Sequence, residues 1–323
     1  MKKRKKKSRV AKLKISAVEI LLILLGAVIY LVPGTFASAK IVIPAYLEKE
    51  DFQRPNDAEL IDEIDKNDKN EIFEFINEKI LKAYYEDVHL AYYSREGVEA
   101  SKSQFFGKND LHEIADLCAR IMQLGKTPKI FIVANPSMKI HCDNFQKPII
   151  IVSSGLLKNF RDKDELRFLI GREMGHVKCN HVKCMFYLDK ILNVIDFDDD
   201  ENESWTSGLL ALPTALLLKW LREAEMTADN AGLLCCQDPE TAEKALIRLK
   251  LGLSDDFLGA FDTEEYLRQS NNIKLESFAD KYLLIKHAQS PHLYMNARIA
   301  QLRKYAESNR YKSILERKKP RER

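Results

Sequence analysis

The chain has 323 residues, 46% hydrophobic and 31% charged, with a formal net charge of +3. Those figures suit an ordinary globular protein with one large domain or two small ones, and a full core. The charge is uneven: residues 1–14 hold nine Lys and Arg and no acid, leaving the remainder at −6, which excludes a basic surface for nucleic acid.

The basic block precedes an apolar run that begins at Ile15 and that Pro33-Gly34 ends. At about 1.5 Å per residue this run just crosses a hydrocarbon core if its flanks snorkel. Glu19 lies near one end, where it costs less than at the centre. The expected organisation is a cytoplasmic segment (1–14), a transmembrane signal anchor in the lipid bilayer (15–36) and an extracytoplasmic main domain. The alternative is secretion after cleavage following Ala39, since Ala37-Ser38-Ala39 suits a signal peptidase.

Residues 37–70 are rich in charge and read as a stalk with a short helix at most. From Glu71 to Tyr93, Ile72, Phe73, Ile76, Ile80, Tyr84 and Val88 recur at helical spacing. A second amphipathic helix is expected from Asp110 to Leu124. Two β-rich runs, Ile130–Ala134 and Pro148–Ser153, then suggest a small sheet. Residues 196–203 hold six acids and read as a solvated loop, because the glycine and spacing of a calcium loop are missing. The stretch 205–221, WTSGLLALPTALLLKWL, reads as a buried or membrane-surface helix. Six cysteines permit disulfides, with no connectivity fixed by spacing. For the adjacent Cys235 and Cys236, buried free thiols are the expectation.

The chemistry centres on Leu166–Cys184, LRFLIGREMGHVKCNHVKC, read as one helix whose start Asp162 and Glu165 would cap reciprocally. In the motif HExxH, two histidines one helical turn apart bind zinc and the glutamate activates a water. Here the five positions read Arg172, Glu173, Met174, Gly175, His176. A zinc site needs a third protein ligand, and Glu225 in EMTAD is the candidate, with Asp229 one turn further on behind it. Arginine has no lone pair to offer a metal at neutral pH, and its charge repels a cation. Its guanidinium is expected to occupy the metal position and to ion-pair with Glu225, Asp229 or Glu173. A shifted site using Cys179 as substitute ligand is the alternative for metal binding.

Three segments, DELRFLIGREMGHVKCNH, WLREAEMTADNAGLL and SPHLYMNARIAQL, carry a resemblance. In that order they resemble the HtpX-like and CAAX-prenyl-protease-like zinc metallopeptidases, which are gluzincins, over about Val98 to Leu315. The resemblance implies a predominantly helical α+β domain with a small sheet; with the helical pattern from Glu71 the domain is placed at 71–315, and the composition gives a basic tail at 316–323. The resemblance also implies zinc as cofactor, His176 and Glu225 as ligands, Glu173 as general base and Asp229 as the residue orienting the first histidine. The sequence departs from the family at Arg172, and again at Ser290, which stands where the family has an oxyanion-stabilising histidine. The resulting expectation is a membrane-anchored relative that binds a protein or peptide in its cleft with impaired or no proteolysis. An active metalloendopeptidase with an altered zinc site is the alternative.

Overall fold

The structure is a computed structural model and describes residues 41–67, 95, 97–99, 111–144, 147–196, 205–271 and 295–317. The anchor at 15–36, the helix expected at 71–93, most of the acidic loop, Ser290 and most of the basic tail lie outside these residues. No described helix is long and apolar enough to cross a membrane.

In chain order the described elements are α1 (Pro55–Asn67), β1 (Gly97–Glu99), α2 (Leu111–Ile121), β2 (Lys129–Val133), β3 (Ile140–Asp143), β4 (Ile149–Ser153) and α3 (Ser154–Asn159). They continue with α4 (Lys163–Lys178), α5 (His181–Asp196), α6 (Trp205–Cys236), α7 (Pro239–Leu251), α8 (Asp255–Leu258), α9 (Thr263–Asn271), α10 (Met295–Glu307) and α11 (Asn309–Glu316). The result is predominantly helical with a small mixed sheet.

The sheet runs in the order β1-β2-β4-β3. The two runs legible in the sequence become the parallel neighbours β2 and β4, with Ile130 opposite Ile150. β4 is a β-branched run buried along its whole length, as suits a central strand covered on both faces. The segment read as a separator supplies β3, antiparallel to β4 with His141 opposite Ile151. β3 is an edge strand, and it packs beside α4.

Helix α4 is surrounded by α2, α6, α7 and β3, and every residue from Glu165 to His176 is buried. Asp162 caps it, its carboxylate accepting from the amides of Asp164 and Glu165. The reciprocal half of the expected cap does not form, because the Glu165 carboxylate turns inward to within 3.4 Å of Arg248. The helix also ends earlier than expected. Cys179 is its C-cap, and Asn180 takes a left-handed conformation (φ 58°) before α5 begins, so the motif stretch is two helices. Asparagine tolerates that region better than most residues, whereas a valine or leucine there would resist the break.

The contact between α4 and α6 positions the site. A Cβ added to Gly175 would lie 2.4 Å from the Ala231 Cβ, and one added to Gly232 would lie 2.7 Å from the Arg172 Cγ. The small residues of the two motifs therefore leave no room for a side chain between the helices. That closeness brings the polar face of α4 against Glu225 and Asp229 on α6.

The stalk expected over 37–70 differs from the structure where residues 42–67 are described. Leu47 and Phe52 are both 1% exposed, the Val42 amide donates to the Gln237 side chain, and α1 packs on α6. A few apolar residues spaced among many charges were enough to dock the segment. From α1, Leu60 and Ile64 join Phe186, Tyr187, Leu217 and Trp220 in a core cluster, so the end of 205–221 is buried at Leu217 and Trp220. All six cysteines are buried thiols, with no disulfide among them.

Candidate active-site cleft

Arg172 lies among the three carboxylates that the sequence singled out. Its Nε donates to Asp229 Oδ1 at 2.7 Å and its Nη2 to Glu225 Oε2 at 2.7 Å, while Nη1 is 3.5 Å from Glu173 Oε1. The fork geometry suits two carboxylates held one turn apart on a facing helix. Burial works against this cation, yet Glu225, Asp229 and Glu173 outweigh it and hold its pKa above the ordinary arginine value.

A second guanidinium, missed by sequence reasoning, closes the cluster. Arg298 on α10 donates twice to Asp229, at 2.7 Å each, and its Nη1 lies 2.9 Å from Glu225 Oε2. The late motif SPHLYMNARIAQL contained this residue, but helical spacing alone gave no reason to prefer it over Arg303 in the same helix. Burial would raise the Glu225 carboxyl, but Arg298 and then Arg172 hold it well below the usual range.

Glu173 has the opposite balance. Its Oε2 accepts from the Cys142 amide of β3 at 2.9 Å, and burial, opposed by Arg172, pushes its carboxyl up to about 7. Burial, then His181, lowers the His176 imidazole well below 6.5, so the ring is neutral at pH 7. His176 Nε2 is 3.8 Å from Glu225 Oε1, and its Nδ1 is 2.9 Å from His181 Nδ1. His181 Nε2 in turn lies 3.0 Å from Asp57 Oδ2, and Trp220 donates to Asp57 Oδ1 at 3.0 Å. A carboxylate only accepts, so His181 Nε2 carries a proton. Between His176 Nδ1 and His181 Nδ1 one ring donates and the other accepts, which ties the His176 imidazole to the Asp57 carboxylate through His181. This chain of contacts begins in the segment expected to be a stalk, which is why the sequence did not reveal it.

Of these groups Arg172, Glu173, His176 and Glu225 line a cleft of about 570 Å³. Met138, Ile140, Met185, Leu188, Leu221 and Leu249 add apolar lining, and Lys139, His141 and Lys250 complete it. Burial, then Arg298, lowers the Lys250 ammonium to about 8. Cys179 does not line this cleft; it is buried at the end of α4, and burial pushes its thiol far up.

A three-ligand zinc site does not fit these residues. His176 and Glu225 supply two donors, and the place of a third is filled by a guanidinium, which has no lone pair. Among the described residues no group of three His, Cys, Asp or Glu side chains has the arrangement a metal ion requires.

The comparisons with known proteins bear on ancestry. An Arabidopsis thaliana protein described as plastoglobule-localized metallopeptidase 48, chloroplastic, is 26% identical over 225 residues. That alignment covers 68% of this chain and 62% of the relative, so the chain spans less than two thirds of that protein's length. No solved structure matches. The model of peptidase family M48 matches residues 107–306, which include both motif helices and Arg298. The chain belongs to peptidase family M48.

Proposed function

We propose that this chain is a member of family M48 that has kept the peptide cleft and lost zinc-dependent hydrolysis, and that it acts by binding. Peptidases of the family are zinc-dependent. The observation that carries the proposal is the Arg172 guanidinium held between Glu225 and Asp229, where it is 3% exposed. A fixed cation there removes the reason for a metal, and without a metal-bound water Glu173 has no nucleophile to activate. Ser290 in the late motif weakens oxyanion stabilisation as well.

Retention of binding is supported by β3. Lys139 pairs with Ser153 across the sheet and Cys142 turns its amide to Glu173, so alternation points the Ile140 main chain away from β4 and toward the cleft. An edge strand beside an apolar cleft is suited to an extended peptide added as a further strand. Within the family, the motifs resemble the HtpX-like branch. The basic residues 1–14 and the apolar run after them support a single N-terminal anchor, with the domain on the extracytoplasmic side.

The test is Arg172→His in the full chain. The variant is expected to bind zinc through the introduced imidazole together with His176 and Glu225, which the unaltered chain is not. Cleavage of fluorogenic peptides by the unaltered chain, abolished by a zinc chelator, would instead establish the active metalloendopeptidase with an altered site.

A further inference from the structure

Lys250 lies in the last turn of α7, half-buried, and lines the cleft. It makes neither a hydrogen bond nor an ion pair among the described residues. Its surroundings disfavour an ammonium. Burial is the largest influence, the Arg298 guanidinium comes next, and Arg172 adds to both. Glu225 and Asp229 pull the other way, although their short bonds go to Arg172 and Arg298. The C-terminal end of α7 also favours a positive charge. The balance lowers the Lys250 ammonium to about 8. Desolvation and a neighbouring cation are the two ways in which a lysine is kept uncharged and becomes a nucleophile, and both act here. Met138, Leu221 and Leu249 contribute apolar lining to the same cleft.

We infer that Lys250 is a covalent carbonyl-binding site, its Nζ condensing with the aldehyde group of an apolar molecule whose chain lies in the cleft. This goes beyond peptide binding and does not depend on it. The Nζ lone pair forms a bond to the aldehyde carbon as the carbonyl π pair moves onto oxygen. Both amine protons then leave with that oxygen as water, and a C=N bond remains. The step consumes no oxidant, reductant or metal. Amine, aldehyde and imine are all uncharged, so condensation adds no charge beside the two guanidiniums. The apolar lining selects the chain, since each methylene buried improves binding about fourfold. At pH 8 about half of the Lys250 amine is uncharged, against well under one in a hundred for a lysine of ordinary basicity. A weaker base is a weaker nucleophile, which takes back part of that gain and leaves roughly tenfold.

The experiment treats the full chain, in detergent and an amine-free buffer at pH 8, with hexanal and sodium cyanoborohydride. Hydride from the cyanoborohydride goes to the imine carbon and a proton from water to the nitrogen, which fixes the adduct as a secondary amine. Peptide mapping by mass spectrometry then locates it. At low conversion Lys250 is expected to be modified roughly tenfold more than any other lysine, Lys139 of the same cleft included. Hexanal is expected to outpace the polar glyceraldehyde at Lys250 by more than at the other lysines. Lys250→Arg keeps the positive charge and should lose the dominant adduct, with a melting curve to report folding. Modification spread evenly over the lysines, or greatest at Lys139, overturns the assignment on the unaltered chain alone. A dominant adduct that survives in folded Lys250→Arg overturns it as well. Equal modification of Lys250 by the two aldehydes overturns the apolar class of the ligand.

Discussion

Arg172→Met removes the cation from the cluster and keeps most of the side-chain volume, so it isolates the charge. The guanidinium is 3% exposed and holds Asp229 and Glu225 at 2.7 Å each, with Glu173 at 3.5 Å. Deleting one partner of a buried ion pair costs about 3–5 kcal/mol, because the other partner is left charged and unsolvated. Arg298 retains its contacts with both Asp229 and Glu225, which places the expected loss near the lower bound, about 3 kcal/mol. For a domain of this size that is a fall in Tm of roughly 6–12 °C. The assay is thermal unfolding of the full chain by circular dichroism, in chelator, for the unaltered chain, Arg172→Met and Arg172→Lys. Lysine keeps the charge without the fork and should fall between the other two. A methionine variant that melts within about 2 °C of the unaltered chain would refute the idea that a buried cation holds these carboxylates together.

Other consequences can be checked on the same protein. Glu173 has a folded pKa of about 7 against an ordinary 4.5, so its contribution is fully present below pH 4.5 and is lost as pH rises through 7. Glu173→Gln, which still accepts from the Cys142 amide, should match the unaltered chain near pH 4.5 and exceed it at pH 8 by up to about 3 kcal/mol in urea unfolding. Equal pH slopes for the two proteins would contradict that. Gly175→Leu would drive a side chain into Ala231 across the α4–α6 contact, where a Cβ already meets it at 2.4 Å. It should cost more than about 3 kcal/mol or prevent folding, as read by expression and melting, whereas Gly125→Leu, with open space around it, should not. Asp57→Ala leaves the His181 and Trp220 donors unpaired in the core and should cost about 3 kcal/mol, with a shift in the tryptophan emission that Asp62→Ala does not produce.

The fold and the site differed in how far they could be read from the sequence, for physical reasons. β2 and β4 announced themselves because buried parallel strands are continuous β-branched runs, while β3 (IHCD) is an edge strand of mixed character and carried no comparable signal. That Arg172 and His176 share one helix face, and Glu225 and Asp229 another, was legible from one-turn spacings; that the two faces meet, with Glu173 beside them, was implied by the family resemblance. Contacts between elements distant in sequence carried no such rule. Arg298 and Asp57 reach the site from 69 residues beyond Asp229 and 124 residues before His181, and no local pattern marks either. The docking of residues 42–67 was hidden for a related reason: Leu47, Phe52, Leu60 and Ile64 are a minority among charges, and average composition conceals a narrow buried stripe. The end of α4 turned on a single residue, Asn180, whose left-handed backbone a helical pattern does not foresee.

The most direct measurement is the zinc content of the unaltered full chain, purified in the presence of zinc and read per chain by elemental mass spectrometry beside Arg172→His. With a guanidinium between Glu225 and Asp229, the expected result is near zero zinc in the unaltered chain and a rise toward one per chain in the variant. Near one zinc per unaltered chain, lost together with a defined cleavage activity on chelation, would contradict the replacement of the metal by Arg172.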